Sequence, residues 1–350
     1  MRRLPVFFVI DCSESMVGEP IHAVQAGMQQ ILTTLRQDPY ALETVYTSVI
    51  AYAGIVRTLV PLTELFAMNF VDLPIGGGTN LGKALQHVMS EIDRNVQLTT
   101  TEHKGDWKPI VYLFTDGRPT DDYVAAVEKW NRVYKHKVSL VAVGLGAAAD
   151  FNVLQQFADH CISIEEVNQD YIKGLCKWIS ASVVSQSVSI GMGRSQDQQL
   201  LNFDQRYMNL VKEPVAKKQI DDHSVTMVGR CQKTNQPYIM KYVKALQYQA
   251  PADLNINIYH YRLEVCSGID EDYFSWSDKN FEQTQINTAQ LDGTPQCPHC
   301  YAETAFAMCG CGNLLCYDGY SSPVVCPWCH RQIRFSEGGS DDFSINRGQG

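Results

Sequence analysis

Val6-Phe7-Phe8-Val9-Ile10-Asp11-Cys12-Ser13-Glu14-Ser15 decides the fold. Its first five residues are an unbroken apolar, β-rich run. That pattern suits a strand covered on both faces, as in a parallel sheet sandwiched between helices. The run stops at a carboxylate followed by two hydroxyls at alternate positions. A helix then opens at Gly18-Glu19-Pro20, where proline suits the first turn, and Ile21, Val24, Met28, Ile31, Leu32 and Leu35 recur at helical spacing up to Pro39.

The same alternation continues downstream. Val45–Ala53 and Val56–Leu59 read as a hairpin across Gly54. A glycine loop, Gly76-Gly77-Gly78-Thr79-Asn80, opens a helix through Ala84, Leu85 and Val88. Ile110–Phe114 is a second buried strand ending in Thr115-Asp116-Gly117. A helix over Asp121–Tyr134, a strand over Val138–Gly144, a short helix near Val153, a strand over Cys161–Ile164 and a helix over Tyr171–Val184 follow. Strands alternating with helices predict an α/β fold, a doubly wound and mostly parallel sheet, over residues 1–184. In such sheets ligands gather beyond the carboxyl ends of the strands. Asp11, Ser13, Ser15, Thr79 and Asp116 all fall there. Two carboxylates and three hydroxyls are hard oxygen donors, suited to Mg²⁺, Mn²⁺ or Ca²⁺. Singly, each residue reads as an ordinary cap or turn; together they predict a cation site.

A competing reading takes Gly77–Lys83 as a phosphate-binding loop of a nucleotide hydrolase, with Asp116 on its acidic Mg²⁺ strand. Ala84 stands where that motif needs a hydroxyl, and Asp72 and Pro74 spoil the strand that should precede it. No histidine is placed as a base for Ser13 or Ser15. The expectation is therefore a protein without catalytic machinery.

Residues 185–293 read as a linker over Ser185–Gln199, with a helical period near Tyr207–Val211, then a small β-rich unit over Val225–Cys231, Tyr238–Val243, Ile256–Val265 and Phe281–Thr288. Cys231 and Cys266 there read as buried thiols. Over residues 294–335 the texture changes again. Of twelve cysteines, seven crowd between Cys297 and Cys329. Cys297-Pro-His-Cys300 and Cys326-Pro-Trp-Cys329 are two zinc knuckles, predicted to join in one closed, structural Zn²⁺ site of the zinc-ribbon kind. Cys309, Cys311 and Cys316 are candidate further ligands. With His299 and His330 they could supply a second, cross-braced zinc, but no partner follows Cys316 at the expected spacing. Residues 336–350 are rich in Gly, Ser and Asp and read as a disordered tail.

Bulk properties narrow the function. A net charge of −9 argues against a nucleic-acid binder. No apolar run reaches membrane-spanning length, and the run after Met1-Arg2-Arg3 is broken by Asp11 before any leader could end. Clustered metal thiolates suit a reducing compartment, so the expectation is cytoplasmic.

The set Asp11-x-Ser13-x-Ser15, Thr79 and Asp116 resembles the metal-ion-dependent adhesion site (MIDAS) of von Willebrand factor A domains. Glu14 stands where many members carry glycine, and as a third carboxylate it either bears on the site or faces solvent. Phe8–Met16, Gly18–Ile21, Gly76–Gly82, Thr115–Thr120 and the Cys-Pro-Trp-Cys ending together resemble the TerY proteins of tellurium-resistance operons. The resemblance implies a metal-dependent adaptor of a stress-response module, working with a protein kinase and a PP2C-type phosphatase. It also implies a partner Asp or Glu that completes the cation's shell.

Overall fold

The computed structural model describes residues 2–102, 104–146, 149–164, 169–191, 209–210, 224–249, 257–279, 284–321, 323–335 and 343–348. The chain divides into two units. The first comprises residues 1–74 and 79–219, and the second comprises 75–78 and 220–350.

The first unit runs β1 (Leu4–Asp11), α1 (Glu19–Arg36), α2 (Pro39–Thr44), β2 (Val45–Tyr52), β3 (Val56–Glu64), α3 (Leu81–Asn95), β4 (Ile110–Thr115), α4 (Val124–Val133), β5 (Ser139–Leu145), α5 (Phe151–Leu154), β6 (His160–Ile164), α6 (Gln169–Gly191) and β7 (Asn209–Leu210). Its sheet has the order β3-β2-β1-β4-β5-β6-β7. The five inner strands are parallel, while β3 and β7 pair antiparallel at the edges. Every residue of β1 is buried, as its apolar run requires. Phe7 and Val9 point into a core with Leu85, Val88 and Trp130 of α3 and α4. On the other face Phe8 stacks on Tyr112, whose ring meets Trp178 of α6 edge-on. The predicted doubly wound sheet is the sheet observed.

Two boundaries differ from expectation. The last helix extends to Gly191, because Ser187 remains buried beyond Val184; its Oγ meets Thr44 Oγ1 at 2.5 Å. The linker reading therefore fails over residues 185–191, and residues 192–199 lie outside the described residues. The helical period near Tyr207–Val211 fails as well: Asn209 and Leu210 form β7, the edge strand on β6.

The second unit contains β8 (Ser224–Arg230), β9 (Pro237–Gln249), β10 (Asn257–Gly268), α7 (Asp272–Trp276), β11 (Gln285–Asn287), β12 (Leu291–Asp292), β13 (Thr304–Met308), β14 (Leu314–Tyr317), β15 (Val324–Val325), β16 (Gln332–Ile333) and β17 (Ser344–Asn346). One sheet, β12-β10-β9-β8-β14-β13, draws strands from both the β-rich region and the cysteine module. The expected border near residue 293 is not a structural border. The β-rich strands and the module share one core, in which Val225, Met227 and Tyr242 pack with Cys297, Ala305, Leu314 and Ile345. The tail is not wholly irregular either, since Ser344–Asn346 pairs with β11 and buries Ile345.

Tyr112 OH is fully buried and has no hydrogen-bond partner among the described residues. Tyr112→Phe is expected to raise the stability of the first unit by about 1 kcal/mol, because it removes an unpaired polar group and keeps the ring. Phe8→Ala is expected to lower it by about 3–5 kcal/mol. Urea unfolding curves of the two variants check both signs.

Candidate functional site

The first site forms at the carboxyl end of the parallel sheet. Asp11 is the last residue of β1 and is wholly buried. Its Oδ1 accepts the Ser13 N–H at 3.0 Å, which curls the chain back over the strand end. Its Oδ2 accepts Thr115 Oγ1–H at 2.7 Å and Tyr52 OH at 3.2 Å. Ser13 Oγ and Ser15 Oγ lie 3.0 Å apart on the turn that follows. Asp116 follows β4 directly, and Gly117 after it has φ of 80°, a left-handed turn that only glycine adopts without strain. A Cβ on Gly117 would also run into the carbonyl of Asp150.

Thr79 enters from the loop before α3. Its N–H donates to Thr120 Oγ1 at 2.8 Å and its carbonyl accepts the Thr120 N–H at 2.9 Å, so the backbone is pinned from both sides. The residue is 1% exposed, and its hydroxyl has no hydrogen-bond partner among the described residues. A buried hydroxyl left unpaired is costly unless a ligand takes it. Burial, reinforced by the charge of Asp116, lifts Asp11 out of the carboxylate range to about 7. The two carboxylates repel each other, and a divalent ion would relieve both. Asp11, Ser13 and Ser15 stand together, Asp116 is near enough for its charge to act on Asp11, and Thr79 lies on the loop before α3; all five offer hard oxygen donors. Glu14 does not face solvent, being fully buried on the same turn.

The phosphate-loop alternative finds no support in this geometry. No strand leads directly into the glycine loop, since residues 69–75 between it and β3 lack regular structure. The first amides of α3 are already engaged: Gly82 N–H and Lys83 N–H donate to the two oxygens of Asp121 at 3.0 and 2.9 Å. A carboxylate of the chain itself caps the helix where a phosphate would have to sit. Asp121 thus belongs to α3's cap and precedes α4 instead of opening it.

In the second unit the thiols gather into two groups, Cys231, Cys297, Cys300 and Cys316, and separately Cys309, Cys311, Cys326 and Cys329. The two knuckles expected to share one zinc fall in different groups, and this corrects the predicted ligand set. The reason is topological. Strand β14 lies parallel to β8, with Leu315 opposite Arg230, so Cys316 arrives beside Cys231 at the end of β8. Cys309 and Cys311 sit on the β13–β14 turn instead and meet the last knuckle. Sulfur separations support metal geometry. Cys300–Cys316, Cys309–Cys329 and Cys311–Cys326 are 3.6, 3.7 and 3.9 Å apart. The edge of a tetrahedron with zinc–sulfur bonds of about 2.3 Å is about 3.8 Å. Neither histidine completes a group. His299 Nε2 is 2.9 Å from the Pro237 carbonyl, and His330 is exposed.

Cys231 was hidden from sequence reasoning by a missing second cysteine. In the last knuckle Cys326 N–H donates to Arg331 O, and His330 N–H donates back to Cys326 O. The same pair of bonds closes Cys297 with Ala302 and Tyr301, and Cys231 with Gln236 and Asn235. Asn235, Tyr301 and His330 are the non-glycine residues with positive φ among those described, at 63°, 59° and 60°. Cys231-Gln-Lys-Thr234 is therefore a third knuckle of the same backbone form, with Thr234 where the second cysteine would stand. Burial alone would raise the Cys231 thiol, but hydrogen bonds from Thr234 and Lys233 outweigh it and bring it to about 6. Cys266, by contrast, lies outside both groups, and burial holds its thiol at about 12.

Comparison with known proteins agrees with this division. Residues 6–169 match the von Willebrand factor type A domain, and residues 221–350 match the TerY-C metal binding domain. The bovine inter-alpha-trypsin inhibitor heavy chain H1 is 26% identical over 155 residues, which span 43% of this chain and 17% of that protein. Among solved structures, the von Willebrand factor type A protein from Catenulispora acidiphila is 16% identical, with TM-score 0.41 over 52% of this chain and 43% of that one. The SpRpn10 VWA domain is 16% identical, with TM-score 0.38 over 49% of this chain and 95% of that one. The protein is thus a von Willebrand A fold joined to a β-rich metal-binding module. Its domain make-up is TerY-like, a von Willebrand factor type A domain followed by a TerY-C metal binding domain.

Two measurements follow. A proton that Asp11 holds in the native chain up to about pH 7 is released at about pH 4 on unfolding. In chelator-treated protein this stabilisation is complete below about pH 4 and is lost as pH rises toward about 7. Melting temperature should fall over that window in EDTA, less steeply in Asp11→Asn, and Mg²⁺ should oppose the fall. Metal analysis should find about two tightly held zinc ions per chain. Cys231→Ser should bring the count below two, whereas Cys266→Ser should leave it unchanged.

Proposed function

We propose that the protein is a non-enzymatic, metal-dependent interaction adaptor. The first unit would grip a partner protein through a divalent cation, Mg²⁺ or the similar Mn²⁺ or Ca²⁺. Asp11, Ser13, Ser15, Thr79 and Asp116 would hold that cation directly or through water. The observation carrying this reading is the wholly buried Asp11 carboxylate, burdened by the charge of Asp116 and followed at once by the paired Ser13 and Ser15 hydroxyls; the buried Thr79 hydroxyl, without a partner among the described residues, adds to it. Two carboxylates neutralise a divalent ion but leave its shell incomplete. An Asp or Glu from the partner is the hard anionic oxygen that completes it.

Zinc in the second unit would be structural, since all eight clustered donors are thiols and neither group keeps an open position. The role for this unit is to hold a folded platform. The resemblance to TerY proteins supports a setting in a tellurium or stress-resistance module, with a protein kinase and a PP2C-type phosphatase as partners. Clustered reduced thiols support a cytoplasmic location. No described helix is long and apolar enough to cross a membrane.

Calorimetry of the full chain with Mg²⁺ tests the site. One binding event is expected in the wild type, lost in Asp11→Ala and Asp116→Ala and weakened in Thr79→Val. Capture of a kinase or phosphatase from the source cells should then require Mg²⁺ and fail in EDTA and in Asp11→Ala. Mg²⁺-independent capture would place the interaction elsewhere, and nucleotide turnover lost in Lys83→Ala would restore the hydrolase reading.

A further inference from the structure

The ligands of the two thiol groups interleave along the chain. Cys231, Cys297 and Cys300 belong to one group, Cys309 and Cys311 to the other, Cys316 to the first again, and Cys326 and Cys329 to the second. A single hairpin, β13–β14, therefore serves both. Its turn carries Cys309 and Cys311, closed by Cys309 N–H to Asn313 O at 3.0 Å and Gly312 N–H to Cys309 O at 2.8 Å. Its return strand carries Cys316, whose sulfur accepts the Gln232 N–H at 3.2 Å.

One side chain outside both ligand sets joins them. Arg230 directly precedes Cys231. Its guanidinium donates from Nη1 to the carbonyl of Asn235, the residue that closes the Cys231 knuckle, at 2.8 Å. Its other side lies over the ring of Trp328, 4.7 Å from the ring centre, between Cys326 and Cys329 of the other group. Phe274 of α7 flanks the same guanidinium at 5.0 Å, and Glu271 accepts from both terminal nitrogens at 2.5 and 2.8 Å. Trp328 is fixed in turn by its Nε1–H, which donates to Leu314 O on β14 at 2.7 Å. The Arg230 side chain is largely covered while Glu271 is well exposed, so the face of the clamp against the rings is the one shielded from solvent.

We infer that the two metal sites load as a coupled pair, with Arg230 as the residue that transmits order from one knuckle to the other. Metal in the first group fixes Cys231 and Cys316, hence Arg230, β8 and β14. Those are the surfaces on which Trp328 and the β13–β14 turn must settle to present the other four thiols. The converse path is the same, as reciprocity of coupling requires. The entropy of ordering the hairpin is spent once, by whichever metal arrives first.

The inference rests on both thiol groups being metal sites, and the experiment separates the two ideas. Metal-stripped full-length protein is given one equivalent of Zn²⁺ in excess Mg²⁺, and its zinc-bound species are counted by native mass spectrometry. Independent equal sites would leave about half of the chains with one zinc, and unequal ones more. Coupling predicts a one-zinc fraction well below half, with apo and two-zinc chains dominating. Arg230→Ala and the milder Phe274→Leu, neither of which removes a ligand, should each raise the one-zinc fraction while saturation still reaches two. A wild-type one-zinc fraction at or above half with saturation at two overturns the coupling alone. Saturation below two overturns the two-site reading instead. Repetition with Co²⁺, read by sulfur-to-cobalt charge transfer, should show the thiolate signal rising together in both groups rather than in two steps.

Discussion

Asp11 has no exposed surface, and much of the first unit follows from that. A carboxylate at the end of a central strand loses its hydration and must be repaid by fixed donors. Ser13 N–H, Thr115 and Tyr52 supply three of them, from the turn after β1, the end of β4 and the end of β2. Each donor comes from a strand neighbouring β1 or from its own continuation, so the register of the parallel sheet is what delivers them. Asp116 then adds a second negative charge, which the hydrogen bonds do not cancel and which burial makes harder to tolerate. A carboxylate pair built this way is under electrostatic tension of the kind that a hard divalent cation would relieve.

The second unit answers a different constraint. It is small, its sheet is open, and buried thiols make up a sizeable part of its interior. Cysteine packs as a small hydrophobe, but eight of them arranged in two compact tetrads do more than fill space. Each knuckle turns the chain tightly enough to need a left-handed residue. The chain spends asparagine, tyrosine and histidine there where glycine would be less strained. Such strain persists only when something stronger holds the turn closed, and four sulfurs drawn to one metal are suited to that task.

Reading from sequence succeeded where the decisive physics is local. The apolar run of β1 declares burial on both faces, the three-and-four spacing of α1 declares its buried stripe, and Asp-Gly after β4 declares a turn. Asp11, Ser13, Ser15 and Asp116 follow strand ends and Thr79 stands at a helix entrance, so the topology puts each at the carboxyl edge of the sheet. Reading failed where a helix continues through polar residues, as α6 does past Val184. There, burial of Ser187 against Thr44 outweighs the local composition.

The amino-acid sequence by itself determined the class of the first unit, the carboxylates and hydroxyls that stand at its strand ends, and the clustering of thiols near the other end. Strand periodicity, turn residues and the C-x-x-C spacing act over a few residues and are legible there. Only the tertiary structure decided which thiol serves which site. Cys231 lies far from the cluster in sequence and reads as a core residue until β14 aligns with β8 and carries Cys316 to its side. The pairing of ligands depends on the register between distant strands. That register is set by the packing of a whole core and not by any local pattern.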